Sequence, residues 1–288
     1  SLHNPIVQDS FEPGSTFKIV TMAAALEEGV VRPNDTFHCE DGSYSLAPGV
    51  IIHDHEPDGT LTVAGILERS SNIGIVKIAE RLGAAGFYRY SRAFGFASRS
   101  GITLPGESPG ELRPLSDLTR VGLAASSYGY GVSATPLQLA SAYSAIANGG
   151  TLWEPLLLRD GRKPSRVRRV ARPETMRILA ELLAGVVERG TGIQAQIPGY
   201  RVAGKTGTAR RLDPVTRKYS TTSYNASFVG FLPVERPLWT IAVLIEAPKG
   251  QYYGAQVAAP VFAKLGRQLL TLRGIAPEAA PGLAARRP

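Results

Sequence analysis

The stretch FEPGSTFK, residues 11–18, opens a strongly apolar helix. A Pro-Gly pair supplies the entry turn and Gly29 fits a helix end, so we expect one helix over residues 13–28. Its interior IVTMAAAL, residues 19–26, leaves almost no polar face, which is typical of a helix buried on all sides. We therefore expect the rest of the fold to be packed around this helix.

Ser15 and Lys18 lie three positions apart in the first turns of this helix, on one face and within side-chain reach. A serine hydroxyl needs an adjacent base to become a good nucleophile. A lysine can be that base where burial lowers its pKa, and Lys18 has apolar Phe17, Ile19 and Val20 as neighbours. The ordinary interpretation is a serine near a helix cap and a lysine whose amine extends to water.

The sequence Ser70-Ser71-Asn72 falls at a break between two predicted helices, residues 62–69 and 73–82. Ser70 could relay a proton to a leaving amine, and Asn72 could hold a substrate amide and orient Lys18. Helix caps and turns also favour Ser and Asn, so this motif alone has an ordinary explanation.

The sequence Lys205-Thr206-Gly207-Thr208 lies within an apolar, β-rich run. Polar residues in such a strand are costly unless they meet a ligand or line a cleft, and Gly207 lets another backbone approach. A peptide could then lie along the strand. Lys205 and the two threonine hydroxyls could bind a carboxylate, and the Thr208 N–H could join that of Ser15 in an oxyanion hole. An exposed edge strand is the alternative interpretation.

The three motifs in this order indicate a serine enzyme that acylates itself, although each alone is weak. S-x-x-K, S-x-N and K-T-G together are the signature of penicillin-binding proteins and class A β-lactamases.

The remaining pattern predicts a helical middle followed by an antiparallel sheet. Residues 30–60 are expected to be rich in loops, and residues 210–222 to connect two strands. Further helices are predicted over residues 84–94, 117–126, 136–148, 173–188 and 256–272. Strands are predicted over residues 201–209, 224–232 and 239–246. Residues 274–288 are expected to be a flexible tail.

Composition narrows the function classes. With 43% hydrophobic residues the chain can bury a core, and its single cysteine, Cys39, excludes an internal disulfide. The net charge is +8, but the arginine-rich run 166–172 has no interleaved aromatic residues, so a solvated surface is preferred to a nucleic-acid site. His53-Asp54-His55 lacks a third ligand at metal spacing, so hydrogen bonds are preferred to a metal. No stretch approaches the roughly 20 apolar residues of a membrane span.

Six segments between about Phe11 and Leu270 resemble the transpeptidase domain of class B, monofunctional penicillin-binding proteins of the division and elongation (FtsI-like) type. They are FEPGSTFK, LTVAGILERSSNIGIVKIA, ATPLQLASAYSAIANGG, GYRVAGKTGTA, YNASFVGFLP and YYGAQVAAPVF. The resemblance implies an α/β (α+β) fold with a five-stranded antiparallel sheet flanked by helices and an all-helical subdomain. We expect the transpeptidase domain over residues 1–273 and the helical subdomain over roughly residues 62–150.

The resemblance also implies the site and its reaction. Its site residues are catalytic Ser15, Lys18, Ser70 and Asn72, and substrate-binding Lys205, Thr206, Gly207 and Thr208. A D,D-transpeptidase would cross-link peptidoglycan stem peptides through a Ser15 acyl-enzyme, and β-lactams would trap that serine. No metal, organic cofactor or nucleic acid is implied.

In such proteins a membrane anchor, further domains and the first strands of the sheet precede the nucleophile helix. We expect the native protein to lie at the extracytoplasmic face of the bacterial membrane, held by an N-terminal anchor. A polytopic membrane glycosyltransferase and other division or elongation proteins are the expected partners.

Three other functions use similar residues. A β-lactamase must also deacylate quickly, and we find no E-x-x-x-N element of the class A type between the second and third motifs. A β-lactam sensor would acylate once and signal, but the segments around residues 224–233 and 252–262 argue against it. A D,D-carboxypeptidase differs only in using water as acceptor, so the motifs leave it open.

Overall fold

Helices dominate the chain up to residue 189, and the main sheet follows. The computed structural model describes residues 3–158, 160–213, 216 and 218–277. Its α-helices are α1 (Pro5–Gln8), α2 (Lys18–Glu27), α3 (Val63–Arg69), α4 (Asn72–Leu82), α5 (Ala84–Ala93), α6 (Arg120–Ser127), α7 (Pro136–Ala147), α8 (Pro173–Arg189), α9 (Gly254–Val257) and α10 (Ala259–Leu272). Its strands are β1 (Thr36–His38), β2 (Ser43–Ala47), β3 (Val50–His53), β4 (Thr60–Thr62), β5 (Glu111–Leu112), β6 (Val132–Ser133), β7 (Thr151–Trp153), β8 (Arg166–Arg169), β9 (Ala203–Leu212), β10 (Tyr219–Leu232) and β11 (Trp239–Glu246).

Helix α2 is the central helix, as its apolar sequence predicted. Every residue from Lys18 to Leu26 is buried, and helices α4, α5, α6 and α8 contact it. The predicted first turn has 3₁₀ geometry over Gly14–Phe17, so Ser15 lies in a tight turn directly before the α-helix.

The main sheet has the order β11-β10-β9 and is antiparallel throughout, as predicted. On β10, Val229 and Phe231 belong to the large core around α2, whereas Phe228 packs with Phe262 of α10 on the other face. The sheet therefore lies between the helical region and the last helix, which fits the expected α/β (α+β) class. The resemblance implied five strands; the main sheet of the described residues has three.

Several predicted boundaries were wrong. Strands β9 and β10 extend to Leu212 and from Tyr219, so most of the expected 210–222 connection belongs to the sheet. Polar residues can extend a hairpin in this way because the ladder bonds use the backbone alone. The predicted last helix is interrupted at Ala258, which separates α9 from α10.

The segment 30–60, expected to be loops, contains two short antiparallel pairs. Strand β1 pairs with β4, and β2 pairs with β3 around a turn that contains Gly49 at a φ of 74°. Glycine adopts this left-handed conformation readily, so the chain can reverse here without strain. Strand β3 ends at His53, and the next residue, Asp54, contacts the second motif.

Two segments were predicted to lie at the surface, the arginine-rich run 166–172 and the tail 274–288. The four residues of β8, in the arginine-rich run, are exposed. The predicted tail lies mostly outside the described residues, but the Ile275 carbonyl still accepts a hydrogen bond from the Tyr200 hydroxyl at 2.6 Å.

Helices α3 to α7 fall within the 62–150 subdomain, which stays a prediction. Among the described residues, no helix has the length and apolar character to cross a membrane.

Candidate active site

Ser15 lies in the 3₁₀ turn, half-buried, and hydrogen bonds from two neighbouring segments hold that turn. The Gly14 N–H donates to the Gly129 carbonyl at 3.1 Å, and the Tyr143 hydroxyl donates to the Thr16 carbonyl at 2.9 Å. The Tyr-Gly-Tyr-Gly segment, residues 128–131, therefore supports the turn that presents Ser15.

Lys18 has no exposed surface, and its amine faces the second motif. Nζ donates to the Ser70 carbonyl at 2.5 Å, to Ser70 Oγ at 3.2 Å and to Asn72 Oδ1 at 2.8 Å. Burial lowers the pKa of Lys18 to about 7, and the negative charge of Asp54 acts in the opposite direction. A large fraction of Lys18 is therefore neutral near pH 7, as a general base requires.

The Ser15 hydroxyl has no hydrogen-bond partner among the described residues. It is separated from Lys18 by one helical turn, and the amine is bonded to Ser70 and Asn72 instead. Catalytic hydrogen bonds are often long before substrate binds and shorten in the complex. The arrangement leaves Ser15 open to a substrate, with its base in the adjacent turn.

The second motif is held in an unusual backbone conformation. Ser70 ends α3 with a φ of 60°, so the chain reverses and the Ser70 carbonyl points at Lys18. Ser71 caps α4 by accepting from the Gly74 N–H at 2.9 Å. The predicted helix break is confirmed, and it places two side chains and one carbonyl of the motif around a single amine.

Asp54 is the residue of this region that sequence reasoning missed as part of the site. Its carboxylate accepts from the Ser71 hydroxyl at 2.5 Å and from the backbone N–H groups of Asn72 and Ile73. The sequence predicted hydrogen bonds for His53-Asp54-His55. It did not predict that Asp54 would bond to the second motif.

Lys205 of the third motif is also fully buried, on strand β9. Its amine contacts the carbonyl and hydroxyl oxygens of Thr206, both at 3.3 Å, and Thr191 Oγ1 at 3.5 Å. Burial and the positive charge of Lys18 hold the pKa of Lys205 well below its usual range. A carboxylate bound beside Lys205 would raise that pKa, so binding of an anion and protonation of Lys205 favour each other.

Thr191 is a second residue that sequence reasoning missed. Its hydroxyl lies 2.9 Å from that of Thr206, and its backbone N–H donates to the Glu68 carbonyl at 3.0 Å. It follows the end of α8, where a polar residue looks like ordinary cap chemistry, so the sequence offered no separate signal.

The glycine of the third motif lets two backbones approach. A Cβ at Gly207 would lie 2.4 Å from Ser227 Oγ and 3.0 Å from the Pro13 carbonyl, so the Ser15 turn packs directly on β9. Thr208 Oγ1 accepts from the Gly254 N–H at 2.9 Å. These contacts place the Ser15 turn beside Thr208, as an oxyanion hole made by their backbone N–H groups requires.

Aromatic side chains form a continuous series of ring contacts beside the second and third motifs. Tyr224 stacks on Tyr252 with ring centroids 4.2 Å apart, Tyr252 contacts Tyr253 at 4.5 Å, and Tyr253 contacts His55 at 5.2 Å. The series runs from strand β10 to the loop after β3. These contacts join strand β10 to the segment between β11 and α9, which contains Tyr252 and Tyr253.

All eight predicted site residues thus come from three separate segments, and the structure brings those segments together. A hydroxyl, an amine with a pKa near 7 and a second buried amine can support attack on a carbonyl beside a bound carboxylate. No cluster of metal-ligating side chains occurs in the part of the chain that the structure describes.

Comparison with known proteins identifies the same domain. The family model described as "Penicillin binding protein transpeptidase domain" matches residues 1–266. Stage V sporulation protein D of Bacillus subtilis is 36% identical over an alignment of 286 positions, which covers 94% of this chain and 44% of that protein. The probable peptidoglycan D,D-transpeptidase PenA of Neisseria flavescens is 35% identical over 276 residues, 95% of this chain and 68% of that protein.

A solved structure agrees. Penicillin-binding protein 3 of Mycobacterium tuberculosis, complexed with ampicillin, superposes with a TM-score of 0.87 and 31% identity, covering 98% of this chain and 66% of that chain. The chain spans less than half the length of the sporulation protein that it matches. The family model covers nearly the whole chain, and the chain therefore belongs to the penicillin-binding protein transpeptidase domain family.

Proposed function

We propose that this domain is a D,D-transpeptidase that cross-links peptidoglycan stem peptides through an acyl-enzyme on Ser15. The observation that carries the proposal is the fully buried Lys18, whose pKa of about 7 and contacts with Ser70 and Asn72 suit a general base one turn from Ser15. Related proteins named as peptidoglycan D,D-transpeptidases support the reaction class.

In the first step Lys18 accepts the Ser15 proton while Oγ attacks the carbonyl of the penultimate D-alanine. The backbone N–H groups of Ser15 and Thr208 stabilise the oxyanion. The C–N bond then breaks, and a proton delivered through Ser70 leaves with the amine of the terminal D-alanine.

Lys205, Thr206 and Thr208 hold the terminal carboxylate of the donor during this step, and Gly207 lets the peptide lie close to β9. Asn72 orients the substrate amide as well as Lys18. In the second step an amine of a neighbouring stem peptide loses a proton to Lys18 and attacks the ester. A new amide forms, and the Ser15 hydroxyl is restored.

A β-lactam resembles the D-alanyl-D-alanine end and should acylate Ser15. The test is the intact mass of the protein over hours with benzylpenicillin, with Ser15→Ala as the inactive variant and exposed Ser10→Ala as the matched control. A stable adduct of one drug per chain in the wild type and in Ser10→Ala, absent from Ser15→Ala, is expected. No adduct on folded wild-type protein would refute the nucleophile.

The same experiment separates a β-lactamase, which would clear the adduct within seconds and accumulate hydrolysed drug. The charge of Asp54 raises the pKa of Lys18, but its two oxygens already accept hydrogen bonds from Ser71, Asn72 and Ile73. That carboxylate is poorly suited to activate a deacylating water, which supports a long-lived adduct.

A D,D-carboxypeptidase differs in its acceptor. The test is a D-alanyl-D-alanine donor peptide with and without an amine-bearing acceptor peptide, and mass analysis of the products. A cross-linked product that grows with acceptor concentration is expected; hydrolysed donor alone would favour the carboxypeptidase.

We propose further that the whole protein works at the extracytoplasmic face of the bacterial membrane, held by an N-terminal anchor. A polytopic membrane glycosyltransferase and other division or elongation proteins would be its partners. Membership of the family supports both points. Fractionation of the full-length protein, followed by affinity capture from solubilised membranes, would test them: recovery in the cytosol would refute the anchor.

A further inference from the structure

A carboxylate outside the three motifs holds the second of them. Asp54 follows strand β3 and is half-buried. Oδ1 accepts from the backbone N–H groups of Asn72 and Ile73, the latter at 3.1 Å, and Oδ2 accepts from the Ser71 hydroxyl at 2.5 Å. Three consecutive residues at the start of α4 are thus bonded to one side chain.

The same hairpin fixes the Asn72 amide. Asn72 Nδ2 donates to the His53 carbonyl at 2.9 Å, and Oδ1 accepts from Lys18 Nζ at 2.8 Å. An amide has distinct donor and acceptor ends, so the His53 bond determines that the oxygen faces the lysine. His53 and Asp54 together set the position and the orientation of Asn72.

Ser71 satisfies only one of the free N–H groups at the start of α4, and Asp54 accepts from two others. Helix α4 already has a cap, because Ser71 Oγ accepts from the Gly74 N–H at 2.9 Å. The N–H groups of Asn72 and Ile73 donate to Asp54, and the side chain of the same Asn72 contacts Lys18.

The charge of Asp54 also reaches the site. Lys18 is fully buried, and the Asp54 carboxylate raises its pKa against the larger effect of burial. Among the residues that the structure describes, Lys205 of β9 is the other titratable group that interacts with Lys18. Around Asp54 itself lie Lys18 and, beyond Ser71, the Cys39 thiol, which Lys77 and Asp58 also influence.

We propose that Asp54 is a positioning residue for acylation of Ser15, holding Asn72 in the orientation that binds Lys18 and setting a negative charge beside that buried amine. The inference rests on the proposed function, since it concerns the base of that reaction. It assigns the β2–β3 hairpin a part in the chemistry, although the hairpin carries none of the three motifs.

The test compares Asp54→Asn and Asp54→Ala with the wild type, and with Glu56→Gln as a matched control that removes one charge from an exposed side chain two residues away. Asparagine keeps an oxygen for the Asn72 and Ile73 N–H groups, removes the charge, and replaces the oxygen that accepts from the Ser71 hydroxyl by an NH₂ group. The second-order rate of acylation by a fluorescent penicillin is measured from pH 5 to pH 9, with urea unfolding as a check on folding.

Asp54→Asn should move the midpoint of the pH profile to lower pH, because loss of the negative charge makes the Lys18 ammonium easier to deprotonate. Asp54→Ala should lower the acylation rate by about 10²-fold at pH 7.5, the cost of a misplaced catalytic group. Glu56→Gln should match the wild type in both rate and midpoint. A merely structural role would leave the midpoint of Asp54→Asn unmoved.

Asn72→Ala supplies the second readout. If Asp54 acts through Asn72, the loss caused by Asp54→Ala should be much smaller when Asn72 is already alanine. Fully additive losses would overturn this part of the proposal.

An unmoved Asp54→Asn midpoint in a wild type that acylates would overturn the inference and leave the proposed function standing. A folded wild type without acylation would refute the proposed function, and the inference with it. If Asp54→Ala does not fold, the Asp54→Asn midpoint alone decides.

Discussion

At the scale of single residues, two lysines without exposed surface define the chemistry of the cleft. Burial lowers the pKa of both Lys18 and Lys205, and the two positive charges disfavour each other. Lys18 has Asp54 to offset burial, and Lys205 has neutral Thr191 and Thr206 oxygens. A substrate carboxylate would supply the missing negative charge beside Lys205.

The pKa of Lys18 predicts the pH dependence of acylation. A general base must be neutral, and Lys18 becomes neutral as the pH rises through about 7. We expect the second-order acylation rate to rise between pH 6 and 8 and then to level off, since about one unit above a pKa most of the base is neutral. Stopped-flow fluorescence with a labelled penicillin measures it.

The control for that profile is the stability of the penicillin and of the fold over the same pH range. A rate that is flat from pH 5 to 9, or that rises only near the ordinary lysine value, would contradict a buried Lys18 base.

Thr191 predicts an effect on substrate binding. Its hydroxyl supports Thr206 and Lys205, which we assign to the substrate carboxylate. Thr191→Val keeps the shape and removes both contacts, of which the shorter one, to Thr206, is worth about 1 kcal/mol. The KM for a D-alanyl-D-alanine peptide should therefore rise about fivefold, with a smaller change in kcat. Steady-state release of D-alanine measures both constants.

Thr271→Val is the matched control, since its hydroxyl donates only to the Arg267 carbonyl on an exposed part of α10. An equal change of KM in both variants would mean that Thr191 has no specific part in binding.

At the scale of elements, the 3₁₀ turn that carries Ser15 depends on neighbours distant in sequence. Gly14 bonds to Gly129 and packs against Ala209 of β9, where a Cβ on Gly14 would lie 3.2 Å from the Ala209 side chain. Helix α2 thus begins where the Tyr-Gly-Tyr-Gly segment and strand β9 meet, and this junction positions the nucleophile.

Substitution of Gly129 should therefore destabilise the fold more than substitution of an ordinary turn glycine. The φ of Gly129 is 91°, and a Cβ would lie 2.1 Å from the Gly14 carbonyl oxygen. We expect Gly129→Ala to lower the free energy of unfolding by about 2–4 kcal/mol, from backbone strain and overpacking together, and to slow acylation. Urea unfolding and penicillin labelling measure the two effects.

Gly29 separates the two causes, because it has a φ of 69° with no atom within 4 Å of its Cβ position. Gly29→Ala should cost about 1 kcal/mol from strain alone and leave acylation unchanged. Equal losses in both variants would argue against a tight contact at the Ser15 turn.

At the scale of the whole molecule, two apolar clusters meet at the main sheet. The larger joins α2 and its surrounding helices to Ala203, Val229 and Phe231, and the smaller joins the other face to α10. Strand β9 therefore has its third motif at the boundary between the helical region and the sheet. The site exists only when both parts are packed together.

The smaller cluster should control stability more than chemistry. Phe262 has no exposed surface and lies 4.7 Å from Phe228 on the sheet face covered by α10. Phe262→Ala should lower the free energy of unfolding by about 3–5 kcal/mol, as large-to-small core changes do, while folded molecules still acylate. Urea unfolding and active-site titration with penicillin measure these.

Val261→Ala is the control on the same helix, since Val261 is 39% exposed and a surface change costs within about 0.5 kcal/mol. A loss of acylation per folded Phe262→Ala molecule would mean that the smaller cluster also shapes the site.

Residues 13–28 and the three motifs could be read from the sequence because their signals are local. A helix without a polar face must be buried, and Ser15 and Lys18 must share one side of it. The antiparallel sheet followed from three apolar runs separated by turns. The family resemblance and the eight predicted site residues rest on such local patterns.

Asp54, Thr191 and the β2–β3 hairpin could not be assigned in this way. Their roles depend on contacts with residues 15 or more positions away, such as Asp54 with Ser71 and Thr191 with Thr206. The lowered pKa of Lys18 could not be assigned from the sequence either, because it results from burial by the surrounding helices. Sequence determined which groups can react; only tertiary packing decided which neighbours orient and charge them, since desolvation and hydrogen bonding act through space.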